Sequence, residues 1–245
     1  MLLCNNPGPL TLEGTNTWVL GAPGSAELVV VDPGPDDVEH IERLAGLEGV
    51  LRARITLVLI SHRHGDHTDG IDKLVDATGA TVRAVGSGFL RGFGGHLRDG
   101  EVIEAAGLRI AVLATPGHTG DSVSFVLDDA VLTADTVLGR GTTVIDSDDG
   151  SLADYLESLR RLRGLGSRRV LPGHGPELDD LAAVADMYLA HREQRLDQVR
   201  RALRTLGDDA TARQVVEQVY ADVDQKLWDA AESSVRAQLD YLRRS

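Results

Sequence analysis

The chain has 245 residues, 42% of them hydrophobic and 26% charged, as is ordinary for a globular enzyme with one substantial core. Its single cysteine excludes an internal disulfide framework, and no apolar run approaches the roughly 18 residues that span a bilayer. The first residues lack the features of a signal peptide, so we expect a cytoplasmic protein with no membrane partner. The formal net charge of −13 lies in residues 1–155, which hold 10 Lys and Arg against 23 Asp and Glu, and such a surface disfavours a polyanion.

The first part of the chain predicts a β-hairpin, two helices and a buried strand. Residues 17–20 and 28–32 form the strands of the hairpin around a GAPGS turn. Residues 37–47 and 69–78 have the apolar spacing of amphipathic helices. Between these helices, residues 55–61 read ITLVLIS, and such a run of β-branched side chains indicates a buried strand.

A cluster of potential metal ligands follows that buried strand. The run SHRHGDH holds His62, His64, Asp66 and His67. Imidazole and carboxylate groups suit Zn²⁺, and also Mn²⁺ or iron. An isolated histidine is usually a surface or core residue, and we give that interpretation to His40, His96 and His191. A HxHxDH cluster at the end of a strand instead indicates a metal site.

A glycine-rich segment, GSGFLRGFGGHLRDG, occupies residues 86–100. Glycine in this proportion disfavours regular structure. The segment carries Phe89, Leu90 and Phe93, so it is either a mobile lid over the metals or a plain surface loop. It is not a phosphate loop, because no Gly-Lys-Ser/Thr follows.

Three later strands each end at one further potential ligand. The strands are predicted at residues 108–115, 130–134 and 169–171. They run into His118, Asp135 and His174, two of these after a Pro-Gly pair that turns the chain. Seven ligands are too many for one tetrahedral ion, but they suit two ions that share a carboxylate and a water.

The remaining segments are predicted to be helical. Residues 152–165 form one helix of the main domain, and three more follow at 179–206, 212–220 and 225–243. We therefore divide the chain into a catalytic domain, residues 1–178, and a helical appendage, residues 179–245.

Basic residues gather in two stretches of the C-terminal part of the chain, at residues 160–169 and 192–204. We interpret these stretches as a solvated face whose charges pair with acids such as Glu193 and Asp197. The alternative is a track for nucleic acid, which would need them to contact phosphates.

The order of the ligands resembles the metallo-β-lactamase superfamily over most of the chain. The resemblance implies an α/β fold, a four-layer αβ/βα sandwich with two metals, Zn²⁺ above all, at one edge of the paired sheets. It assigns His62, His64 and His118 to the first metal and Asp66, His67 and His174 to the second. Asp135 would bridge both, as in glyoxalase II, whereas antibiotic-degrading β-lactamases typically carry Cys there. Asp32 would help to shape the metal loop, although a helix cap or turn is an equal alternative.

A narrower resemblance is to the lactamase-beta-like protein 2 group. It rests on NPGPLTLEGTNTWVLG at 6–21, TADTVLGRGTT at 133–143 and AHREQRLDQV at 190–199. That group includes RNA endonucleases, and fungal relatives are thioesterases that release polyketides. Ser122 and Ala134 depart from the group, which often has His and Gly at these positions. The helical tail resembles the winged-helix appendage of the group with its β-wing truncated.

The resemblance implies hydrolysis by a metal-bridging hydroxide. Asp66 would ligate one metal and orient the nucleophile, and Asp69, Thr115 and Thr119 are candidates for fixing the histidine rings. The favoured function is a dinuclear hydrolase of a small ester or thioester. A single-stranded RNA endonuclease and a non-catalytic metal-binding protein are the alternatives. An oxygen-reducing iron protein would need a flavin domain, for which the chain has no room.

Overall fold

The molecule has two facing β-sheets, each covered by helices on its outer face. Its structure is a computed structural model that describes residues 1–145, 147–221, 224–225 and 228–244. Each sheet has five strands, and apolar side chains fill both the space between the sheets and the space under the helices. This confirms the predicted four-layer αβ/βα sandwich with a helical unit at its C-terminal end.

The first sheet has the strand order β1-β2-β3-β4-β5. Its strands are β1 (Leu2–Leu3), β2 (Asn16–Leu20), β3 (Glu27–Val31), β4 (Arg54–Leu59) and β5 (Thr81–Arg83). The first three are antiparallel, which confirms the hairpin, and β3, β4 and β5 are parallel. Neither β1 nor β5 was predicted, because two or three residues show no period.

Two helices, α1 (Val38–Leu51) and α3 (Ile71–Thr78), cover the outer face of this sheet. The side chain of Asp37 caps α1 by accepting hydrogen bonds from the backbone N–H groups of Glu39 and His40. The predicted helix at 69–78 begins later than expected. A separate turn, α2 (Gly65–Thr68), precedes it and contains part of the ligand cluster, so the ligands lie within helical backbone and not only in a loop.

The second sheet has the strand order β10-β9-β8-β7-β6. Its strands are β6 (Val102–Ala105), β7 (Leu108–Ala114), β8 (Val123–Val126), β9 (Ala130–Ala134) and β10 (Arg169–Pro172). The pairs from β6 to β9 are antiparallel, and β9 and β10 are parallel. The three predicted strands are confirmed, and β6 and β8 complete the sheet by pairing with β7.

The C-terminal helices pack both on the second sheet and on one another. α4 (Leu152–Gly164) lies beside α5 (Leu181–Leu206), whose first half joins the core under the sheet. The second half of α5 forms a separate apolar cluster with α6 (Ala212–Val219) and α7 (Trp228–Arg244). Residues 226–227 of the helix predicted at 225–243 lie outside the described residues.

The helix α5 contributes to both apolar clusters, so the packing does not divide the chain at residues 178/179. The domain boundary at that place stays a prediction. Among the described helices, none combines the length and the apolar composition that a membrane crossing requires.

Candidate metal centre

Strand ends from both sheets meet at one edge of the sandwich. The HxHxDH cluster follows β4, and Asp32 follows the neighbouring strand β3. From the second sheet, His118 lies in the loop after β7, and Asp135 and His174 follow β9 and β10. All seven predicted ligands are therefore brought together, because rigid strands hold each loop at the same edge.

The first group of potential ligands consists of three imidazoles. His62 Nε2 and His118 Nε2 each lie 3.1 Å from His64 Nδ1. These three nitrogens point at a common position and could hold one metal ion. This group coincides with the first ligand set that the resemblance implies.

The second group combines a carboxylate with two imidazoles. Asp66 Oδ2 lies 3.4 Å from His67 Nε2 and 3.2 Å from His174 Nε2, and the two nitrogens are 3.3 Å apart. This group could hold a second ion.

Asp135 lies between the two groups. Its Oδ2 is 3.2 Å from His174 Nε2 in the second group and 3.7 Å from His118 Nε2 in the first. Its Oδ1 is 3.5 Å from His67 Nε2 and has no hydrogen-bond partner among the described residues. A buried carboxylate oxygen without a donor is costly unless a cation reaches it. The residues present therefore fit a pair of metal ions bridged by Asp135.

The outer nitrogen of each imidazole is occupied by a hydrogen bond, so that the inner nitrogen is free for a metal. His67 Nδ1 donates to Asp32 Oδ2 at 2.9 Å, His118 Nδ1 to the Val144 carbonyl at 2.9 Å and His174 Nδ1 to the Gly14 carbonyl at 3.1 Å. His64 Nε2 lies 3.1 Å from Asp149 Oδ2.

The tautomer of His62 follows from its neighbour Ser61. Ser61 Oγ donates its only proton to Asp32 Oδ2 at 2.6 Å, so His62 Nδ1, 2.9 Å from Ser61 Oγ, is the donor of that pair. Asp32 thus positions two histidines and also accepts from the Ser61 backbone N–H. Its prediction as a residue that shapes the metal loop is confirmed, whereas the helix cap is Asp37.

The three candidates for fixing the histidine rings were wrong. Thr119 Oγ1 donates to Asp121, and Thr115 Oγ1 contacts Ser124 Oγ. Asp69 makes no hydrogen bond to a ligand histidine among the described residues. The actual partners, Ser61, Asp149 and two backbone carbonyls, had no signal in the sequence, because their proximity depends on loops from different strands.

The pKa values of three buried histidines of the cluster shift in different directions, since one is lowered and two are raised. Burial holds the pKa of His62 well below its usual value. Burial also opposes the charge of His174, but the Asp135 and Asp66 carboxylates outweigh it and raise its pKa to about 9. The pKa of His67 is raised in the same way by Asp135 and Asp32. Metal binding would therefore displace protons from His67 and His174.

Close packing around Asp135 depends on two small residues. A Cβ on Gly173 would lie 2.4 Å from Asp135 Oδ1 and 2.9 Å from His67 Cε1, so only glycine fits there. Ala134 has φ of +46°, a left-handed conformation that is strained for alanine and free for glycine. Ala134, where the lactamase-beta-like protein 2 group often has Gly, therefore costs backbone conformational energy.

The cluster opens into a cleft of about 740 Å³. One side is the N-terminal segment, including Leu10 and Leu12, and another is the loop of residues 138–144. The remaining wall comes from the helical unit, with residues of α5, α7 and the Tyr220 turn. The C-terminal helices therefore complete the cleft instead of forming a separate module.

The glycine-rich segment is not a lid in this structure. Residues 86–100 are all described, and none lines the cleft. Backbone hydrogen bonds join Val82 and Arg91, and His96 Nδ1 donates to the Val85 carbonyl. Phe93 is fully exposed. The segment is a surface loop held against β5.

The basic residues of the helices divide between two environments. Arg200 pairs with Glu193 at 2.6 Å and Asp197 at 2.8 Å on an exposed face, as predicted. His191, Arg192 and Arg195 instead line the cleft, and His191 belongs to none of the potential metal-binding groups among the described residues.

The fold and the cluster together define an αβ/βα protein with two potential metal sites joined by an aspartate at the edge of its sheets. The sequence model of the metallo-beta-lactamase superfamily matches residues 10–174, and that of the beta-lactamase associated winged helix domain matches residues 211–245. The chain belongs to the metallo-beta-lactamase superfamily.

Similar proteins extend over most of the chain. A beta-lactamase-like protein 2 homolog of Caenorhabditis elegans is 34% identical over 98% of this chain and 82% of its own length. An atrochrysone carboxyl ACP thioesterase of Aspergillus fumigatus is 32% identical over 89% of this chain and 72% of its own. The crystal structure of a metallo-beta-lactamase family protein from Thermus thermophilus has the same fold, with a TM-score of 0.81 at 23% identity over 99% of this chain and 92% of its own.

Proposed function

We propose that this protein is a dinuclear metal-dependent hydrolase of a small ester or thioester. The observation that carries the proposal is the placement of Asp135 between two groups of three ligands at the floor of a cleft. Two divalent ions in such a site supply Lewis acidity and activate water at neutral pH. His62, His64 and His118 would hold one ion, and Asp66, His67 and His174 the other.

The chain's own groups orient the reacting parts. Asp66 Oδ2 accepts a hydrogen bond from Thr15 Oγ1 at 3.1 Å, and Asn6 Nδ2 donates to Thr15 Oγ1 at 2.9 Å. The N-terminal segment thereby sets the direction of the Asp66 carboxylate, which would ligate one metal and orient the attacking water. Neither Asn6 nor Thr15 was singled out from the sequence.

The cleft favours a small substrate over a polymer. Its volume lies within the range of about 300–1,000 Å³ that is common for small-molecule sites. Apolar side chains such as Leu10, Leu12 and Leu138 line it, which suits an acyl chain. A relative that is 32% identical to this chain is named as an ACP thioesterase, which supports a thioester as the bond that is hydrolysed. On the exposed face of α5, Arg200 is paired with Glu193 and Asp197, so that face does not extend a free cationic track for an RNA strand.

The test compares substrates on one metal-loaded preparation. Acyl-pantetheine thioesters, a simple aryl ester and single-stranded RNA are assayed side by side, and metal content is measured by elemental analysis. We expect about two ions per chain and turnover of a thioester or ester. The variant Asp135→Ala should lose both ions and activity, whereas His174→Ala should lose mainly one ion.

Matched controls keep the result interpretable. Asp197→Ala removes a carboxylate on an exposed face of α5 and should retain both ions and full activity. RNA cleavage without thioester or ester turnover would replace the proposal with the nuclease function. Two bound ions without turnover of any substrate would identify a non-catalytic metal protein.

A further inference from the structure

On the wall of the cleft formed by α5, Arg192 and Arg195 carry positive charge and have no acidic partner among the described residues. His191, Arg192 and Arg195 all line it. Among the described lining residues, the carboxylates are Asp66 and Asp135, which both belong to the metal cluster. The positive charge is therefore concentrated on the helical side of the cleft, in a chain whose net charge is −13.

Arg192 is buried and retains an unused donor. Its side chain is only 5% exposed, and its guanidinium lies 5.0 Å from the centre of the Tyr155 ring. One terminal nitrogen donates to the Thr143 carbonyl, and Nε has no hydrogen-bond partner among the described residues. A buried cation with no carboxylate beside it is costly, and an anion in the cleft would offset that cost.

Arg195 lies one helical turn from His191 and is only partly buried. Its guanidinium lies 5.0 Å from the centre of the Tyr220 ring, and Nη1 donates to Gln198 Oε1 at 2.8 Å. Both Tyr220 and Arg195 line the cleft. Stacking on an aromatic ring limits the motion of the guanidinium and leaves other N–H groups for a ligand.

Two neighbouring groups support a binding role for this wall. Burial, and then the charges of Arg192 and Arg195, lower the pKa of His191, so the positive charge of this wall comes from the two arginines. On α7, Gln238 is 3% exposed, and its Oε1 has no hydrogen-bond partner among the described residues. An amide oxygen accepts hydrogen bonds, so it would receive an N–H or O–H group of the ligand and not its oxyanion.

We propose that this wall is an oxyanion subsite, which binds a carboxylate or phosphate at the end of a small substrate, away from the bond that is hydrolysed. Guanidinium groups match the geometry of both oxyanions. The inference rests on the proposed function, because it assigns a binding site to a part of the substrate that the metal cluster does not hold. It makes the helical unit the part of the molecule that selects the substrate.

The test measures binding, so that it does not depend on turnover. Non-hydrolysable thioethers are titrated calorimetrically into the metal-loaded protein in two matched pairs. In the first pair, S-methyl-phosphopantetheine is compared with S-methyl-pantetheine, so the two ligands differ by a phosphate on the part that carries the thiol sulfur. In the second pair, S-carboxybutyl-pantetheine is compared with S-pentyl-pantetheine, so the two ligands differ by a carboxylate at the end of the chain that replaces the acyl group. We expect the anionic member of at least one pair to bind about tenfold or more tightly, and this advantage to shrink as salt rises.

Two variants identify the residues responsible. Arg195→Gln should abolish the advantage of the anionic member, while Arg200→Gln, on an exposed face of the same helix, should retain it. Arg195 is chosen because Arg192 also holds Thr143 and its loss could disturb the fold. Equal affinity within both pairs, or an anionic advantage that persists in Arg195→Gln, would overturn the inference. Failure of catalysis alone would leave these affinities unchanged and would count against the proposed function instead.

Discussion

At the scale of single residues, the centre depends on groups that are not ligands. Gly173 is the clearest case, because its backbone joins three elements. Its N–H donates to the Ala134 carbonyl at 2.9 Å, and its carbonyl accepts from the Asn16 N–H at 2.7 Å. The close approach of this backbone to Asp135 and His67 leaves no room for a side chain.

Gly173→Ala should therefore weaken metal binding more than it alters the fold. The new methyl group would displace Asp135 or His67, and loss of ligand orientation typically costs about 10–100-fold in metal affinity. Metal content after dialysis against a weak chelator checks this. Gly46→Ala, in a helical position with open space around it, is the matched control and should retain the metals. Full metal content in Gly173→Ala would show that the site can relax around the methyl group.

At the scale of secondary structure, α5 holds the loop that forms one side of the cleft. Tyr188 Oη accepts from the Leu138 N–H at 3.0 Å and donates to the Leu138 carbonyl at 3.3 Å. One turn further along, Arg192 donates to the Thr143 carbonyl at the other end of that loop. Thr143 Oγ1 in turn donates to the backbone carbonyl of Asp135 at 2.5 Å. These hydrogen bonds from side chains to backbone atoms therefore link the position of α5 to the position of Asp135.

Tyr188→Phe should lower the free energy of unfolding by about 1–3 kcal/mol, because the buried N–H of Leu138 loses its acceptor. Urea denaturation of the metal-free protein measures this without a contribution from the ions. The neighbouring exposed residue provides the control, and Met187→Ala should change the free energy by no more than about 0.5 kcal/mol. An unchanged midpoint in Tyr188→Phe would mean that another acceptor reaches Leu138.

At the scale of the whole molecule, the centre joins the two halves of the sandwich. The HxHxDH cluster follows a strand of the first sheet, and the other three predicted ligands follow strands of the second. Ions bound between them would link the sheets at an edge that apolar packing does not cover. Without ions, the same edge holds carboxylates and imidazoles that raise and lower one another's pKa.

Removal of metal should therefore lower the melting temperature. A ligand present at about 100 times its dissociation constant adds about 2.7 kcal/mol, and in a chain of this size each kcal/mol shifts the midpoint by roughly 2–4 °C. Calorimetry before and after chelation, and again after addition of two equivalents of Zn²⁺, measures the effect. Asp135→Ala should melt at the same temperature with and without Zn²⁺. A wild-type melting temperature that is insensitive to chelation would mean that no ion bridges the sheets.

The motifs in the sequence indicated the family and, through that resemblance, the layered fold, and they predicted the seven side chains that the structure brings together at one edge. This was possible because the HxHxDH run is local and because buried strands such as β4 and β9 carry a clear apolar signal. Short strands such as β5 escaped prediction, since their stability comes from pairing and not from their own pattern. Other features emerged from the folded chain alone. Ser61 and Asp149 contact the histidine rings, residues 86–100 lie away from the cleft, and Arg192 and Arg195 face it. Each of these outcomes depends on which loops and helix faces meet, and a helix with charges on several sides does not reveal from its sequence alone which side will face the cleft.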